Sequence, residues 1–134
     1  MTDNTPKRLE GQKILLIEDD MVLLKSMAAQ LIQAGATVTV APDGAAGIKK
    51  FAEVQPDLVI TDIIMPEKEG IETIMAIRGL KPDVAILAIS GGGRVGAAEF
   101  LNLAVNLGAD ATMFKPFRSE DLIAKAAELL KSRA

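Results

Sequence analysis

The chain has 134 residues, carries a formal net charge of −3 at neutral pH, and contains neither cysteine nor histidine. Its length suits one domain with a buried core, and the missing residue types exclude disulfides, thiolate metal sites and catalysis by a histidine or a thiol. Charges of both signs are interspersed and four phenylalanines are the only aromatic residues, so neither a basic stripe nor a base-stacking platform argues for nucleic-acid binding.

The amino-terminal segment and the apolar runs show no targeting or membrane signal. Residues 1–11 are polar and contain no apolar signal region. No run approaches the roughly 18 apolar residues of a membrane span. We therefore expect a flexible tail over 1–11, one domain over 12–132 with no output domain, no membrane contact and a cytoplasmic location.

Short apolar segments alternate with segments of helical periodicity along the rest of the chain. The predicted strands are Lys13–Ile17, Thr37–Ala41, a segment that ends at Asp62, Val84–Ile89 and Ala111–Phe114. The predicted helices are Met21–Ala34 behind an Asp20 cap, one that follows an Asp43 cap and reaches Val54, one after Gly70 that ends near Arg78, one that ends near Leu107, and one capped by Ser119 that ends near Ser132. This alternation indicates an α/β fold with a parallel sheet and right-handed crossovers.

Functional side chains accompany four of the five predicted strands. The first strand is followed by Glu18-Asp19-Asp20, the third ends in Asp62, the fourth is followed by Ser90 and the fifth by Lys115. Because the carboxyl ends of parallel strands share one edge of a sheet, these groups should surround one crevice. A single acid after a strand is more often a helix cap or a solvated loop residue, but the four strand ends together favour a functional site.

The residue types at this edge are suited to phosphoryl chemistry. An all-oxygen group of carboxylates favours a hard divalent cation, and Mg²⁺ (or Mn²⁺) is the expected cofactor because it needs few carboxylates and keeps exchangeable waters. Lys115 offers a point charge to a phosphoryl oxygen, and Ser90 can hydrogen-bond another. Asp62 can then act as a nucleophile that forms an acyl phosphate, with the cation and Lys115 balancing the charge of the transferred group.

Four longer motifs contain these residues. They are Ile14–Asp20 (ILLIEDD), Asp57–Gly70 (DLVITDIIMPEKEG), Ile86–Ser90 (ILAIS) and Gly108–Phe117 (GADATMFKPF). Together they resemble the receiver domains of response regulators in two-component signalling, and the resemblance covers nearly all of residues 12–132. It implies a flavodoxin-like, doubly wound sheet of five parallel strands in the order 2-1-3-4-5, flanked by five helices.

The resemblance also implies a function. By position, Asp62 corresponds to the phosphorylated aspartate, Ser90 to the switch hydroxyl and Lys115 to the lysine that pairs with the phosphoryl group; a cis peptide between Lys115 and Pro116 is implied as well. Asp62 would take a phosphoryl group from a phosphohistidine on a sensor histidine kinase or a histidine phosphotransfer protein, and another protein would read the altered surface. The chain would be a phosphoacceptor rather than an enzyme, although it would catalyse its own phosphoryl transfer.

The metal site implied by the resemblance has four contributors. Asp19 and Asp62 correspond to direct metal ligands, and Glu18 corresponds to the acid that holds metal-bound water. Ile64 occupies the position whose backbone carbonyl binds the metal. These roles predict that the Mg²⁺ lies beside the phosphorylated carboxylate.

Two features depart from the family pattern. Thr112 stands three residues before Lys115, where many receivers carry a tyrosine or phenylalanine that moves with the switch. The segment from Val95 to Ala109 has Glu99 as its single charge and is apolar nearly all round, which is typical of a deeply buried helix or of a surface for a partner. We predict a protein-interaction face there, shared with the last helix, through which a homodimer could form.

Two other functions remain open. A phosphatase with an aspartate nucleophile also places an acid after a parallel strand, but such enzymes carry a second acid two residues later as general acid or base. This chain has the apolar Ile64 at that position, which argues against a phosphatase. A receiver-like module that binds partners without phosphorylation would not need the set formed by Asp62, Ser90 and Lys115.

Overall fold

The computed structural model of the chain describes residues 8–63, 69–91 and 97–132. In chain order its elements are β1 (Lys13–Ile17), α1 (Met21–Gln33), β2 (Thr37–Ala41), α2 (Gly44–Val54), β3 (Leu58–Asp62), α3 (Glu69–Leu80), β4 (Ala85–Gly91), α4 (Ala97–Leu107), β5 (Ala111–Lys115) and α5 (Ser119–Ser132). The strands are parallel and form one sheet in the order β2-β1-β3-β4-β5, which confirms the predicted α/β class and topology. Across the described ranges, no helix has the length and apolar character needed to cross a membrane.

The sheet separates two apolar cores because alternate residues of a strand point to opposite faces. Leu15 and Ile17 belong to the core formed with α2, α3 and α4, whereas Ile14 and Leu16 belong to the core formed with α1 and α5. Central strands covered on both faces must be apolar throughout. The polar residues of these strands therefore lie near the strand ends, and the site lies at the carboxyl ends.

Capping side chains begin two of the helices where the sequence predicts. Asp20 accepts two N–H bonds from the first turn of α1, each 3.1 Å long, and Asp43 accepts one of 2.8 Å from the first turn of α2; both predicted caps are confirmed. The predicted Ser119 cap is wrong by one residue. Ser119 is the first residue of α5, and the backbone carbonyl of Arg118 accepts the first bonds of that helix.

Several predicted boundaries move by one or two residues. α3 begins at Glu69, inside the segment that was predicted to be a loop. β4 continues to Gly91 and β5 continues to Lys115, because these two residues pair in register at the end of the two strands. Ser90 and Lys115, predicted at the ends of these two strands, are thus paired within them, so the sheet holds their backbones.

Leu9 lies within the predicted amino-terminal tail but is packed in the core formed with α1 and α5. Its side chain is fully buried, and its N–H donates to the carbonyl of Ala34 at the end of α1 over 2.9 Å. The packed domain therefore extends to Leu9, before the predicted start at residue 12. One apolar residue in a polar segment gives no periodicity, so this long-range contact left no pattern in the sequence.

Candidate functional site

The carboxyl edge of the sheet carries the predicted site residues. Glu18 directly follows β1, Asp62 is the last residue of β3 and Lys115 is the last residue of β5. Asp62 is paired with Ile89 of β4, so the neighbouring Ser90 lies at the same edge. The parallel strand order thus gathers residues that are up to 97 positions apart in the chain.

Lys115 joins two buried carboxylates at this edge. Its Nζ lies 2.6 Å from Oε1 of Glu18 and 2.6 Å from Oδ2 of Asp62. The side chains of Glu18 and Asp62 are only 2% and 7% exposed, so the ammonium group compensates for the water that these carboxylates lose. The contact between Lys115 and Asp62 places the lysine beside the predicted phosphoacceptor, whereas the contact between Lys115 and Glu18 was not predicted.

Burial and the contacts among these groups shift the pKa values of Glu18 and Lys115. Burial raises the pKa of Glu18 from 4.5 to about 7, since it penalises the carboxylate; the hydrogen bond from Lys115 opposes this shift, and the charge of Asp62 adds to it. Burial acts to lower the pKa of Lys115, but its hydrogen bonds to Asp62 and Glu18 outweigh burial and leave that pKa raised. Near neutral pH, Lys115 is therefore charged while Glu18 is close to its titration midpoint.

Glu18 should make the stability of the metal-free protein depend on pH. The unfolded chain releases this proton near pH 4.5 and the folded chain near pH 7, so the free energy of unfolding should fall as pH rises between these values, by at most about 1.4 kcal/mol per pH unit. Urea denaturation with a chelator present, from about pH 5 to about pH 8, measures the slope. Glu18→Gln should flatten it and the exposed Glu120→Gln should not; equal slopes in both variants would contradict the assignment.

Three acids form a cluster that can hold a cation. Carboxylate oxygens of Glu18, Asp19 and Asp62 lie within 4.8 Å of one another. Asp19 is exposed while the other two are buried, so a hydrated ion can reach the cluster from solvent. The donors are all oxygens, as Mg²⁺ prefers. Ile64, the predicted carbonyl ligand, lies outside the described residues.

Comparison with known proteins assigns this arrangement to a family. The response regulator receiver domain family matches residues 14–127. The chain belongs to this family. Curated relatives include the transcriptional regulatory protein PrrA of Mycobacterium leprae, 31% identical over 125 residues, which cover 93% of this chain and 52% of the relative. The probable C4-dicarboxylate response regulator DctR of Bacillus subtilis is 38% identical over 111 residues, or 81% of this chain and 47% of the relative.

Solved receiver structures share the fold. A CheY-like receiver domain protein from Methanospirillum hungatei superposes with a TM-score of 0.82 at 29% identity, covering 91% of this chain and 95% of the other. A receiver domain from Clostridium thermocellum gives a TM-score of 0.83 at 27% identity, with coverages of 91% and 96%. By contrast, the receiver described here spans about half the length of the curated relatives it matches.

Ser90, the predicted switch hydroxyl of this receiver, lies on β4, next to the strand that carries Thr112. Ser90 is fully buried, and its Oγ has no hydrogen-bond partner within the described part of the chain. Thr112 is half-buried and pairs with Ala88 of β4, at the position where the family pattern has an aromatic ring. The Lys115–Pro116 peptide is cis, as the family resemblance implies. A buried hydroxyl without a partner is energetically unfavourable, which marks Ser90 as a group able to take up a new bond.

The predicted interaction face of the receiver carries exposed apolar side chains. Leu103 and Val105 of α4 are 42% and 48% exposed, and Phe114 of β5 is 49% exposed. Ala104, between the two α4 residues, is fully buried and packs in the core. The apolar character of α4 thus serves both the core and the surface, and the homodimer through α4 and α5 stays a prediction.

Thr61 is a further polar residue of the site that the motifs did not single out. It precedes Asp62 in β3, is fully buried, and its Oγ1 donates to the backbone carbonyl of Asp62 over 3.1 Å. The available signal was a hydroxyl within an otherwise apolar strand. Threonine is also a common strand residue, so this signal alone could not distinguish a site residue from a structural one.

Proposed function

We propose that this receiver is a phosphorylation-dependent signalling switch whose phosphoacceptor is Asp62. The single observation that carries the proposal is the buried Asp62 carboxylate, paired with Lys115 at 2.6 Å and clustered with Glu18 and Asp19. A buried acid without a charge partner would favour its protonated, neutral form. A buried acid supplied with an ammonium group and further oxygen donors is instead suited to react as a carboxylate.

In the proposed reaction, a carboxylate oxygen of Asp62 attacks the phosphorus of a phosphohistidine on a histidine kinase or phosphotransfer protein. A P–O bond forms, the P–N bond breaks, and the imidazole nitrogen leaves with the bonding electron pair. Lys115 stays close enough to pair with the incoming phosphoryl oxygens. A bound Mg²⁺ or Mn²⁺ would supply positive charge to the transferred group, held directly by Asp19 and Asp62, through water by Glu18 and through the carbonyl of Ile64.

The phosphoryl group would end on the chain itself, so we class the receiver as a phosphoacceptor rather than as an enzyme. Ser90 offers its unpaired buried hydroxyl to the new phosphoryl oxygens, and this bond would draw the end of β4 towards Asp62. Thr112 cannot move a ring in response, so the change must reach the surface through the backbone around Ser90. The altered surface would then be read by another protein.

The name of one relative suggests a downstream process but does not assign that process to this chain. PrrA is named as a transcriptional regulatory protein, and the matched part is about half of its length. We propose that the receiver itself binds no nucleic acid, because its net charge is −3 with both signs interspersed. Its separation from any output domain, like its cytoplasmic location, stays a prediction.

Incubation with acetyl phosphate and Mg²⁺, followed by intact-mass measurement, tests the proposal. The native chain should gain one phosphoryl mass and Asp62→Asn should gain none. Asp121→Asn, a substitution of an exposed acid on α5, should behave like the native chain. A native chain that binds Mg²⁺ without gaining phosphoryl mass would favour the phosphorylation-independent module.

A further inference from the structure

The contact between α3 and the end of β3 leaves no room for a side chain at Gly70. Gly70 is buried in the first turn of α3. A Cβ atom placed there would lie 2.5 Å from the carbonyl oxygen of Asp62 and 2.8 Å from the carbonyl carbon of Ile63, and it would lie closer still to the Cα of Ile63. These are backbone atoms, so no rotamer change can relieve the overlap. The first turn of α3 therefore touches the peptide that follows the phosphoacceptor.

Space, rather than backbone conformation, requires glycine at this position. The φ angle of Gly70 lies outside the left-handed range, in contrast to that of Gly108, so a residue with a side chain could adopt the same backbone. Gly79 lies in the same helix, and a Cβ there would meet nothing within 4 Å. The two glycines of α3 thus differ in whether a neighbouring backbone occupies the space of the side chain.

The backbone that Gly70 contacts is also hydrogen-bonded to the neighbouring strand β4. The N–H of Ile63 donates to the carbonyl of Ile89 over 2.9 Å, and the Ile63 side chain is fully buried. α3 in turn is anchored by Ile74 and Ile77, both fully buried. Because interiors are close-packed, a methyl group at position 70 must displace the anchored helix, the Asp62–Ile63 peptide, or both.

We propose that Gly70 is a positioning residue for Asp62: the absent side chain lets α3 seat against the Asp62–Ile63 peptide and fixes the place from which the carboxylate reacts. This role rests on the proposed function, since it affects phosphoryl transfer only if Asp62 is the acceptor. Oδ2 of Asp62 meets Lys115 at 2.6 Å, and a displacement of about 1 Å in a reacting group can slow a reaction about 10²-fold.

Amide hydrogen exchange in Gly70→Ala, measured by NMR without metal, tests the displacement independently of phosphorylation. The Ile63 amide should exchange at least about tenfold faster relative to the amide of Asp110, which bonds to the carbonyl of Ile86 at the opposite edge of the sheet over 2.8 Å. In Gly79→Ala and in the core variant Ile77→Val, the exchange rates of the two amides should change by the same factor. An equal change of both amides in Gly70→Ala would mean uniform destabilisation and would overturn the proposal.

Phosphorylation by acetyl phosphate at saturating Mg²⁺ tests the consequence for the reaction. The rate constant should fall at least about tenfold in Gly70→Ala and stay within about twofold of native in Gly79→Ala and Ile77→Val. If native protein is not phosphorylated, the proposed function fails while the exchange result still stands. A native rate in folded Gly70→Ala, or a chain that stays unfolded even in a stabilising osmolyte, would assign Gly70 to folding alone and overturn the positioning role.

Discussion

Replacing Lys115 with methionine should slow the phosphorylation of Asp62 by acetyl phosphate about 10²–10³-fold in the presence of Mg²⁺. Nζ of Lys115 lies 2.6 Å from both Asp62 and Glu18, and methionine fills much of the same volume without the charge. The variant therefore loses the cation that would pair with the phosphoryl oxygens, and it leaves two buried carboxylates that repel each other. Intact mass recorded over time gives the rate constant.

Two further lysine variants separate the charge of Lys115 from its position. Lys125→Met removes a lysine of α5 that lies 3.6 Å from Glu128, and its phosphorylation rate should match that of the native chain. Lys115→Arg keeps the charge but replaces a compact ammonium with a planar guanidinium, so its rate should lie between those of the native chain and Lys115→Met. A native rate in Lys115→Met would restrict Lys115 to stabilising the folded protein.

The fold and the edge that carries the site followed from local patterns. The bounds of β1 and β2 were predicted correctly because polar or turn residues flank each strand. Parallel strands that alternate with helices place the side chains at their carboxyl ends on one edge of the sheet. No side-chain geometry is needed to bring Asp62, Lys115 and Glu18 together from separate parts of the sequence, as they are in the structure.

The contacts that could not be predicted are those that depend on how elements pack. Leu9 is buried because the chain returns to the end of α1, and a single apolar residue has no periodicity. Lys115 contacts Glu18 as well as Asp62 because its side chain reaches across the ends of β4 and β3, which lie between β5 and β1, and a shared edge alone does not decide which side chains touch. The crowding at Gly70 arises where the first turn of α3 meets the backbone at the end of β3, a contact that no residue pattern encodes.

Arg78→Met should lower the free energy of unfolding by about 2–4 kcal/mol, because Arg78 holds together the edge of the sheet opposite the site. Its guanidinium donates to the carbonyls of Pro82 and Val84 at 2.6 Å each, to that of Gly108 at 2.6 and 3.1 Å, and to Asp110 at 3.0 Å. One side chain therefore joins the end of α3 to the segments that precede β4 and β5.

Exposed ion pairs are worth little, but the side chains of Arg78 and Asp110 are only 19% and 23% exposed. Loss of the guanidinium would leave the carbonyls of Val84 and Gly108, whose bonds to it are partly buried, without their donor. Arg78→Lys should recover only part of the loss, since an ammonium cannot copy the planar fork of a guanidinium. Arg118→Met changes a side chain that is 79% exposed, so it should change stability by less than about 0.5 kcal/mol.

Urea denaturation measures the stability of all three variants, and an equally small change in Arg78→Met would mean that water satisfies these carbonyls. The phosphorylation rate of folded Arg78→Met should stay near native, because the residue acts at the amino edge of the sheet and Asp62 reacts at the carboxyl edge.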